Sequence, residues 1–189
     1  SEVLAYFMEP GLVDWMVKKG DQAKRLSRQA KKVGTEVDEA IKKFVATGSY
    51  GKVKTAEAKS CLDGFKRWYE DYKPTLTVGK RLFNELYKLT GEPDLYWNDK
   101  IIDIKCASAI RLKYHLQTGI YAFLDEKPIT AVLRLHKHLS DYEYVERTRD
   151  EVISDYFCFL DMLKVYRYFQ TPLRAAGEQN ADSPSHQAF

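Results

Sequence analysis

The sequence predicts a mixed α/β fold in which strands gather in the middle of the chain and helices cover them. Apolar residues recur at helical spacing towards both ends, and they alternate with polar residues in the middle. The chain has 189 residues, of which 44% are apolar, so it is long enough to bury a core as one domain. Ten Gly and six Pro exclude a collagen-like or low-complexity chain.

Two helical regions are expected in the N-terminal part. The first covers residues 12–46 with a break near Gly34, where Thr35 followed by Asp38 resembles a capping box with Asp in place of Glu. The second covers residues 56–72. Its apolar positions have helical spacing: Cys61, Leu62, Phe65, Trp68 and Tyr69.

Strands are expected next. Residues 76–89 are predicted to form a bent or bulged strand, or two strands. Residues 93–97 and 101–106 are predicted to form a hairpin. Its turn consists of Asn98, Asp99 and Lys100.

The C-terminal part returns to alternating helix and strand. A helix is predicted over 110–125, a strand over 129–136 with 142–145 as its candidate partner, and a last helix over 148–170. The core stripe of the first of these helices is expected to contain Leu112, Leu116, Ile120 and Phe123.

Composition also predicts the domain organisation and the cellular setting. Residues 1–170 are expected to form a single domain and 171–189 a disordered tail, because the tail has almost no large apolar residue. No stretch approaches the roughly 18 apolar residues that span a membrane, and the first residues do not resemble a secretory signal. Three widely spaced cysteines suit a reducing compartment. An intracellular, membrane-free protein is therefore expected.

The charge is nearly balanced overall but uneven locally. The net charge is +3, yet residues 18–32 contain seven basic residues and one acidic residue. Lys24, Arg28 and Lys31 are spaced by four and three residues, so a helix places them on one face. This face is a candidate binding site for nucleic-acid phosphates. A solvated helix face explains the same pattern.

A candidate site for a cation lies in the predicted hairpin. Alternation in residues 101–106 places Asp103 and Lys105 on the face opposite Ile102, Ile104 and Cys106. Asp94 stands at the start of the preceding strand, so the two carboxylates can approach each other. Close carboxylates repel unless a cation lies between them, and oxygen ligands favour Mg²⁺ or Mn²⁺. A surface ion pair between Asp103 and Lys105 is the alternative.

The helix that follows this strand contributes polar side chains. Gln117 and Tyr121 are four residues apart and share a helix face with Lys113 and Tyr114. Their position after the Asp103–Lys105 strand directs them to the candidate site. Ordinary packing of a half-buried tyrosine is the alternative.

Together these residues resemble the motifs of RecB-like exonucleases in the PD-(D/E)XK nuclease superfamily, of the type found in phages and viruses. Gly91 to Asp94 resembles Gly-x-x-Asp, Asp103 to Lys105 resembles (D/E)-x-K, and Gln117 to Tyr121 resembles Gln-x-x-x-Tyr. Gly34 to Asp38 resembles Gly-Thr-x-apolar-His, with Asp38 in the histidine position, and Leu12 to Trp15 resembles Leu-x-x-Trp. The resemblance covers about residues 10–125.

The resemblance implies an α-β-β-β-α-β core with a central mixed sheet between helices. It also implies a divalent-metal-dependent DNA nuclease, an exonuclease acting on DNA ends or single strands in replication, recombination or repair. With three cysteines, the chain lacks the four thiolates of an iron–sulphur cluster, so the expected cofactor is Mg²⁺ or Mn²⁺ alone.

The resemblance further implies individual roles. Asp94, Asp103 and the carbonyl of Ile104 would hold the metal, with Asp38 as a further ligand and Glu85 as a less certain acid. Lys105 would position or activate the attacking water. Gln117 would orient the water, the lysine or a phosphate, and Tyr121 would support the substrate and contact DNA.

Two other functions remain open at this point. A nuclease fold that binds DNA but no longer cleaves it is compatible with Asp38 in the histidine position and with the basic run. An α/β scaffold whose motif matches are coincidental is the second alternative.

Overall fold

A computed structural model describes residues 3, 4, 7 and 10–170. The expected tail and the side chains of Leu12 and Trp15 lie outside the described residues. No helix in the part that is described is long and apolar enough to cross a membrane.

Helices and strands follow the predicted order. The helices are α1 (Pro10–Lys19), α2 (Gln22–Thr47), α3 (Ala56–Tyr72), α4 (Leu112–Leu124) and α5 (Arg149–Gln170). The strands are β1 (Leu76–Val78), β2 (Leu82–Asn84), β3 (Leu89–Gly91), β4 (Leu95–Trp97), β5 (Lys100–Lys105), β6 (Ile129–Leu135) and β7 (Tyr142–Arg147).

The first helical region breaks earlier than predicted. Helix α1 ends at Lys19 and is followed by Gly20, whose φ of 50° lies in the left-handed region that glycine adopts easily. Helix α2 then continues through Gly34, where a Cβ would meet no atom within 4 Å. The predicted break near Gly34 is wrong, because the interior of a helix tolerates a single glycine at a cost of about 1 kcal/mol. Thr35 and Asp38 therefore lie inside a helix and form no capping box.

The predicted α-β-β-β-α-β core and central mixed sheet are confirmed. The five-stranded sheet has the order β1-β4-β5-β6-β7. Strands β1, β4 and β5 are antiparallel neighbours, β6 is parallel to β5 after the α4 crossover, and β7 is antiparallel to β6. Strands β2 and β3 form a separate hairpin. The predicted segment 76–89 is thus two strands that belong to different sheets.

Apolar side chains are buried on both faces of the sheet. Helices α2 and α3 cover one face, where Phe65 and Trp68 pack against Ile102. Helices α4 and α5 cover the other face, where Phe159 belongs to the same cluster as Ile101. One predicted core residue is wrong. Leu112 is 62% exposed because it begins α4 and projects into solvent, so the core stripe begins at Leu116.

Candidate active site

The pairing of β4 with β5 brings the two predicted carboxylates together. Leu95 lies opposite Ile102, so Asp94, one residue before the strand, lies opposite Asp103. Asp94 Oδ2 accepts a hydrogen bond of 2.6 Å from the backbone N–H of Ile104. The hairpin that the sequence predicts therefore builds the centre of the site.

In strand β5, Asp103 and Lys105 face α4. The alternating residues Ile102 and Ile104 face α2 and α3. Only 2% of the Asp103 side chain is exposed, and Lys105 Nζ lies 2.5 Å from Asp103 Oδ2. Because both faces of the sheet are covered, this is a buried ion pair and not the solvated pair of the alternative interpretation.

The charges in this cluster shift one another's pKa values. Burial, and then the charge of Asp103, raise the pKa of Asp94 to about 7. Burial also raises the pKa of Asp103, although Lys105 opposes the shift. Burial lowers the pKa of Lys105, but Asp103 and Asp94 outweigh it, so the pKa lies above its usual value. Lys105 is therefore an ammonium ion at neutral pH, and two carboxylates share it.

Helix α4 covers the cluster with one polar face. Gln117 Nε2 donates a hydrogen bond of 2.6 Å to Tyr121 Oη. Lys105 Nζ lies 5.5 Å from the centroid of the Tyr114 ring, a cation–π distance. A Cβ on Gly91 would lie 2.4 Å from Cε1 of Tyr121, so the absence of a side chain at Gly91 makes room for this ring. The Gln-x-x-x-Tyr and Gly-x-x-Asp segments are thus in direct contact.

Helix α2 adds a third carboxylate. Asp38 Oδ2 lies 3.1 Å from Lys42 Nζ, and the same ammonium lies 3.6 Å from Glu92 Oε1. The charge of Asp38 contributes to the raised pKa of both Asp94 and Asp103. Neither Lys42 nor Glu92 was predicted from the sequence to belong to the site. The four-residue spacing between Asp38 and Lys42 on a helix is the signal that indicates the first contact.

The oxygen atoms available as metal ligands in this cluster fit a hard divalent cation. Oxygen atoms of Asp94 and Asp103 lie on neighbouring strands, and Oδ1 of Asp38 is buried without a hydrogen-bond partner. Among the residues described, no group of three His, Cys, Asp or Glu side chains lies close enough to hold an ion. Two carboxylates and the Ile104 carbonyl, completed by water, suit Mg²⁺, which usually retains several waters.

Glu85, the additional acid that the resemblance implies, lies outside the candidate site. Glu85 is in the turn between β2 and β3, its side chain is 85% exposed, and it lies 3.8 Å from Lys88. It therefore does not belong to the buried cluster.

The predicted basic residues form a track that leads to the cluster. Lys24, Arg28 and Lys31 are exposed on α2. Four- and three-residue steps continue from them through Thr35 to Asp38, on the same face of the helix. At 1.5 Å per residue, this basic track extends about 20 Å from Asp38.

No protein-family model matches this chain, and no curated protein is similar to it in sequence. The solved structures to which it is similar include exonucleases. An alkaline exonuclease from Laribacter hongkongensis has a TM-score of 0.43 and 14% identity, covering 66% of this chain and 77% of that one. The same enzyme in complex with dAMP has a TM-score of 0.42 and 14% identity, covering 72% and 89%.

A phage-related exonuclease from Haemophilus somnus 129PT has a TM-score of 0.39 and 15% identity, covering 72% of this chain and 83% of that one. At these values the similarity says nothing by itself about activity, which depends on the side chains described above.

Proposed function

We propose that this chain is a divalent-metal-dependent DNA nuclease that hydrolyses phosphodiester bonds, acting as an exonuclease on DNA ends or single strands. One observation carries the proposal. Asp94 lies opposite Asp103 on neighbouring strands, and Lys105 forms a buried ion pair with Asp103. Ionisable groups with strongly shifted pKa values cluster at functional sites, and carboxylate oxygens are the protein ligands that Mg²⁺ binds beside phosphates.

The carboxylates and one carbonyl supply the metal ligands. Asp94, Asp103 and the carbonyl oxygen of Ile104 would hold Mg²⁺ or Mn²⁺. When bound, the ion supplies a Lewis acid for the phosphoryl oxygen and lowers the pKa of a bound water. The hydrogen bond from the N–H of Ile104 keeps Asp94 turned towards β5.

Lys105 acts as a fixed positive charge in this scheme. Its pKa lies above the usual value, so the ammonium donates hydrogen bonds and does not remove a proton. Placed beside the carboxylates, it orients a water for attack on phosphorus and stabilises the negative charge that develops on the phosphate oxygens. The Tyr114 ring limits its movement on the other side.

Gln117 and Tyr121 form the substrate side of the site. Tyr121 Oη accepts its hydrogen bond from Gln117, so its own hydrogen remains for donation to a phosphate or a water. Burial raises the pKa of Tyr121, which keeps the hydroxyl protonated at neutral pH. The pair thus offers a positioned neutral donor next to Lys105.

The basic track on α2 would guide the DNA backbone. Lys24, Arg28 and Lys31 lead towards Asp38, and further basic side chains line a groove beside them. The groove also contains two acids; its lining is Arg28, Lys31, Lys32, Thr35, Glu36, Glu39, Lys52 and Lys54. Glu36 fixes this groove by accepting a hydrogen bond from the backbone N–H of Lys54. The alignment of basic side chains with the candidate site supports a polynucleotide substrate.

The test is degradation of labelled linear and circular DNA, single- and double-stranded, with Mg²⁺, Mn²⁺ or EDTA. We expect metal-dependent cleavage of linear DNA. Asp103→Asn and Lys105→Met should each lower the rate about 100-fold or more, since the first replaces a metal ligand and the second removes the ammonium that stabilises charge on the phosphate.

Matched controls exist on α5. Asp161 and Lys164 form an exposed ion pair of 2.8 Å, so Asp161→Asn and Lys164→Met make the same chemical changes far from the cluster and should not change the rate. Full activity in both site variants would refute the assignment. Salt-dependent DNA binding without cleavage under any metal would favour the non-cleaving DNA-binding function instead.

A further inference from the structure

Lys42 joins helix α2 to the segment that carries Asp94. Its Nζ lies 3.1 Å from Asp38 Oδ2 and 3.6 Å from Glu92 Oε1. Glu92 stands two residues before Asp94, between β3 and β4. The side chain of Lys42 is 26% exposed and that of Asp38 is 32% exposed, so their contact is partly shielded from solvent, whereas Glu92 is 53% exposed. A single ammonium thus holds the helix and the segment together at the candidate metal site.

We infer that Lys42 is a positioning residue for Asp38, an inference that rests on the proposed function. Lys42 contacts Oδ2 of Asp38, whereas Oδ1 is buried and has no hydrogen-bond partner. A buried carboxylate oxygen without a donor is unfavourable. The charge of Asp38 is felt by both Asp94 and Asp103. The free oxygen therefore serves a cation or its bound water.

Charge balance explains why a lysine is needed here. The charge of Asp38 adds to those of Asp94 and Asp103, and Lys105 already forms an ion pair with Asp103. Without a second ammonium, Asp38 would be repelled by Asp94 and Asp103 and would turn towards solvent. Lys42 keeps Asp38 in place until a divalent ion binds.

Asp38 would act on the ion through water. Since no three carboxylates among the described residues lie at ligand spacing, Asp94 and Asp103 would hold the ion directly and Asp38 would orient a water beside it. Outer partners of this kind usually change metal affinity about 10–100-fold.

A neutral substitution of Lys42 changes the affinity for a cation in opposite directions if the residue positions Asp38 and if it acts only by its charge. Removing a positive charge near a cation site tightens cation binding if only the Coulomb energy changes. Loss of Lys42 weakens binding if its main role is to hold Asp38. The sign of the change therefore identifies the role.

The experiment measures Mn²⁺ affinity by calorimetry without DNA. Lys42→Met, and Lys42→Gln as a second neutral variant, should weaken Mn²⁺ binding about tenfold. Lys42→Arg should retain most of the affinity. Lys43→Met is the matched control, because Lys43 is the exposed neighbour on the same helix, and it should leave the affinity unchanged. Thermal unfolding in EDTA verifies that each variant is folded.

Two results complete the test. In an Asp38→Asn background, Lys42→Met should no longer weaken binding, because the side chain that it positions is altered. Unchanged or tighter Mn²⁺ binding by Lys42→Met in the native background overturns the inference and leaves the nuclease proposal intact. Absence of Mn²⁺ binding by the unaltered chain overturns both.

Discussion

At the scale of single residues, Gly91 shows why the site tolerates so little change. A β-carbon at this position would lie 2.4 Å and 2.7 Å from two ring atoms of Tyr121. Tyr121 is itself buried and receives the hydrogen bond from Gln117. The φ of Gly91 is not in the left-handed region, so its backbone conformation does not require a glycine. Its role is to provide space for an aromatic ring.

Gly91→Ala should therefore disturb the site through Tyr121. The added methyl group forces the ring away from β3 and lengthens its hydrogen bond with Gln117. Overpacking of this kind usually lowers the free energy of unfolding by about 1–3 kcal/mol. Urea denaturation measures the loss of stability, and the cleavage assay should show a reduced rate under conditions where the variant remains folded.

Gly34→Ala is the matched control for this substitution. Gly34 lies inside α2, and a β-carbon there would meet nothing within 4 Å. Replacing a helix-interior glycine with alanine usually raises stability by about 0.5–1 kcal/mol. Opposite signs for the two substitutions support the contact with Tyr121. A neutral Gly91→Ala would show that the ring moves aside without loss.

At the scale of elements, helix α2 combines a buried face, a basic track and one end of the candidate site. Val33, Val37 and Ile41 are buried at helical spacing against the sheet. The outward face carries the basic track and then Asp38 and Lys42. The packing of Val37 and Ile41 therefore determines how the basic track meets the site.

Neutralising the basic track should weaken DNA binding in a salt-dependent way. The triple variant Lys24→Gln, Arg28→Gln, Lys31→Gln, made with Asp103→Asn to prevent cleavage, removes three phosphate contacts. Each contact contributes about 0.7 to the slope of log affinity against log salt for a single strand, so the slope should fall by about 2. Fluorescence anisotropy of a labelled single strand at several salt concentrations measures it.

The control for that prediction replaces three exposed lysines on other parts of the surface with glutamine. These are Lys59, Lys73 and Lys164. If the track binds the backbone, this control keeps the full slope. Equal slopes for the two triple variants would exclude α2 as the DNA contact.

The elements also show how far sequence patterns reach. Alternation in 101–106 predicted which side chains of β5 share a face, and two such strands implied that Asp94 meets Asp103. The break near Gly34 was wrong because a single glycine inside a helical pattern weakens a helix without ending it. The Lys42 bridge to Glu92 depends on a tertiary contact that no local pattern encodes.

At the scale of the whole molecule, α4 and α5 close the sheet on the side of the site. Gly119 of α4 allows this helix to pack closely against α5, since a β-carbon at this position would lie 2.9 Å from Cβ of Asp155. Arg147, at the end of β7, lies 2.8 Å from Glu151 Oε1 and 3.2 Å from Asp155 Oδ2. His115 of α4 is buried beside this network. Burial, and then the charge of Arg147, lower its pKa, while Glu151 opposes the shift.

His115 should therefore reduce the stability of the domain in mild acid. Its pKa is lower in the folded state than in the unfolded chain, where the side chain gains a proton near pH 6.5, so at this site the unfolded state binds more protons in mild acid. Asp94, whose pKa is raised to about 7 in the folded state, contributes with the opposite sign, so the His115 contribution is measured as a difference between variants. In urea denaturation, the free energy of unfolding of the unaltered chain relative to that of His115→Gln should fall from pH 7.5 to pH 5.5. His138→Gln, which changes an exposed histidine, should retain the full dependence. Arg147 disfavours a proton on His115 only while the histidine is packed beside it in the folded state. An unchanged pH dependence in His115→Gln would therefore mean that other groups determine how the free energy of unfolding varies with pH.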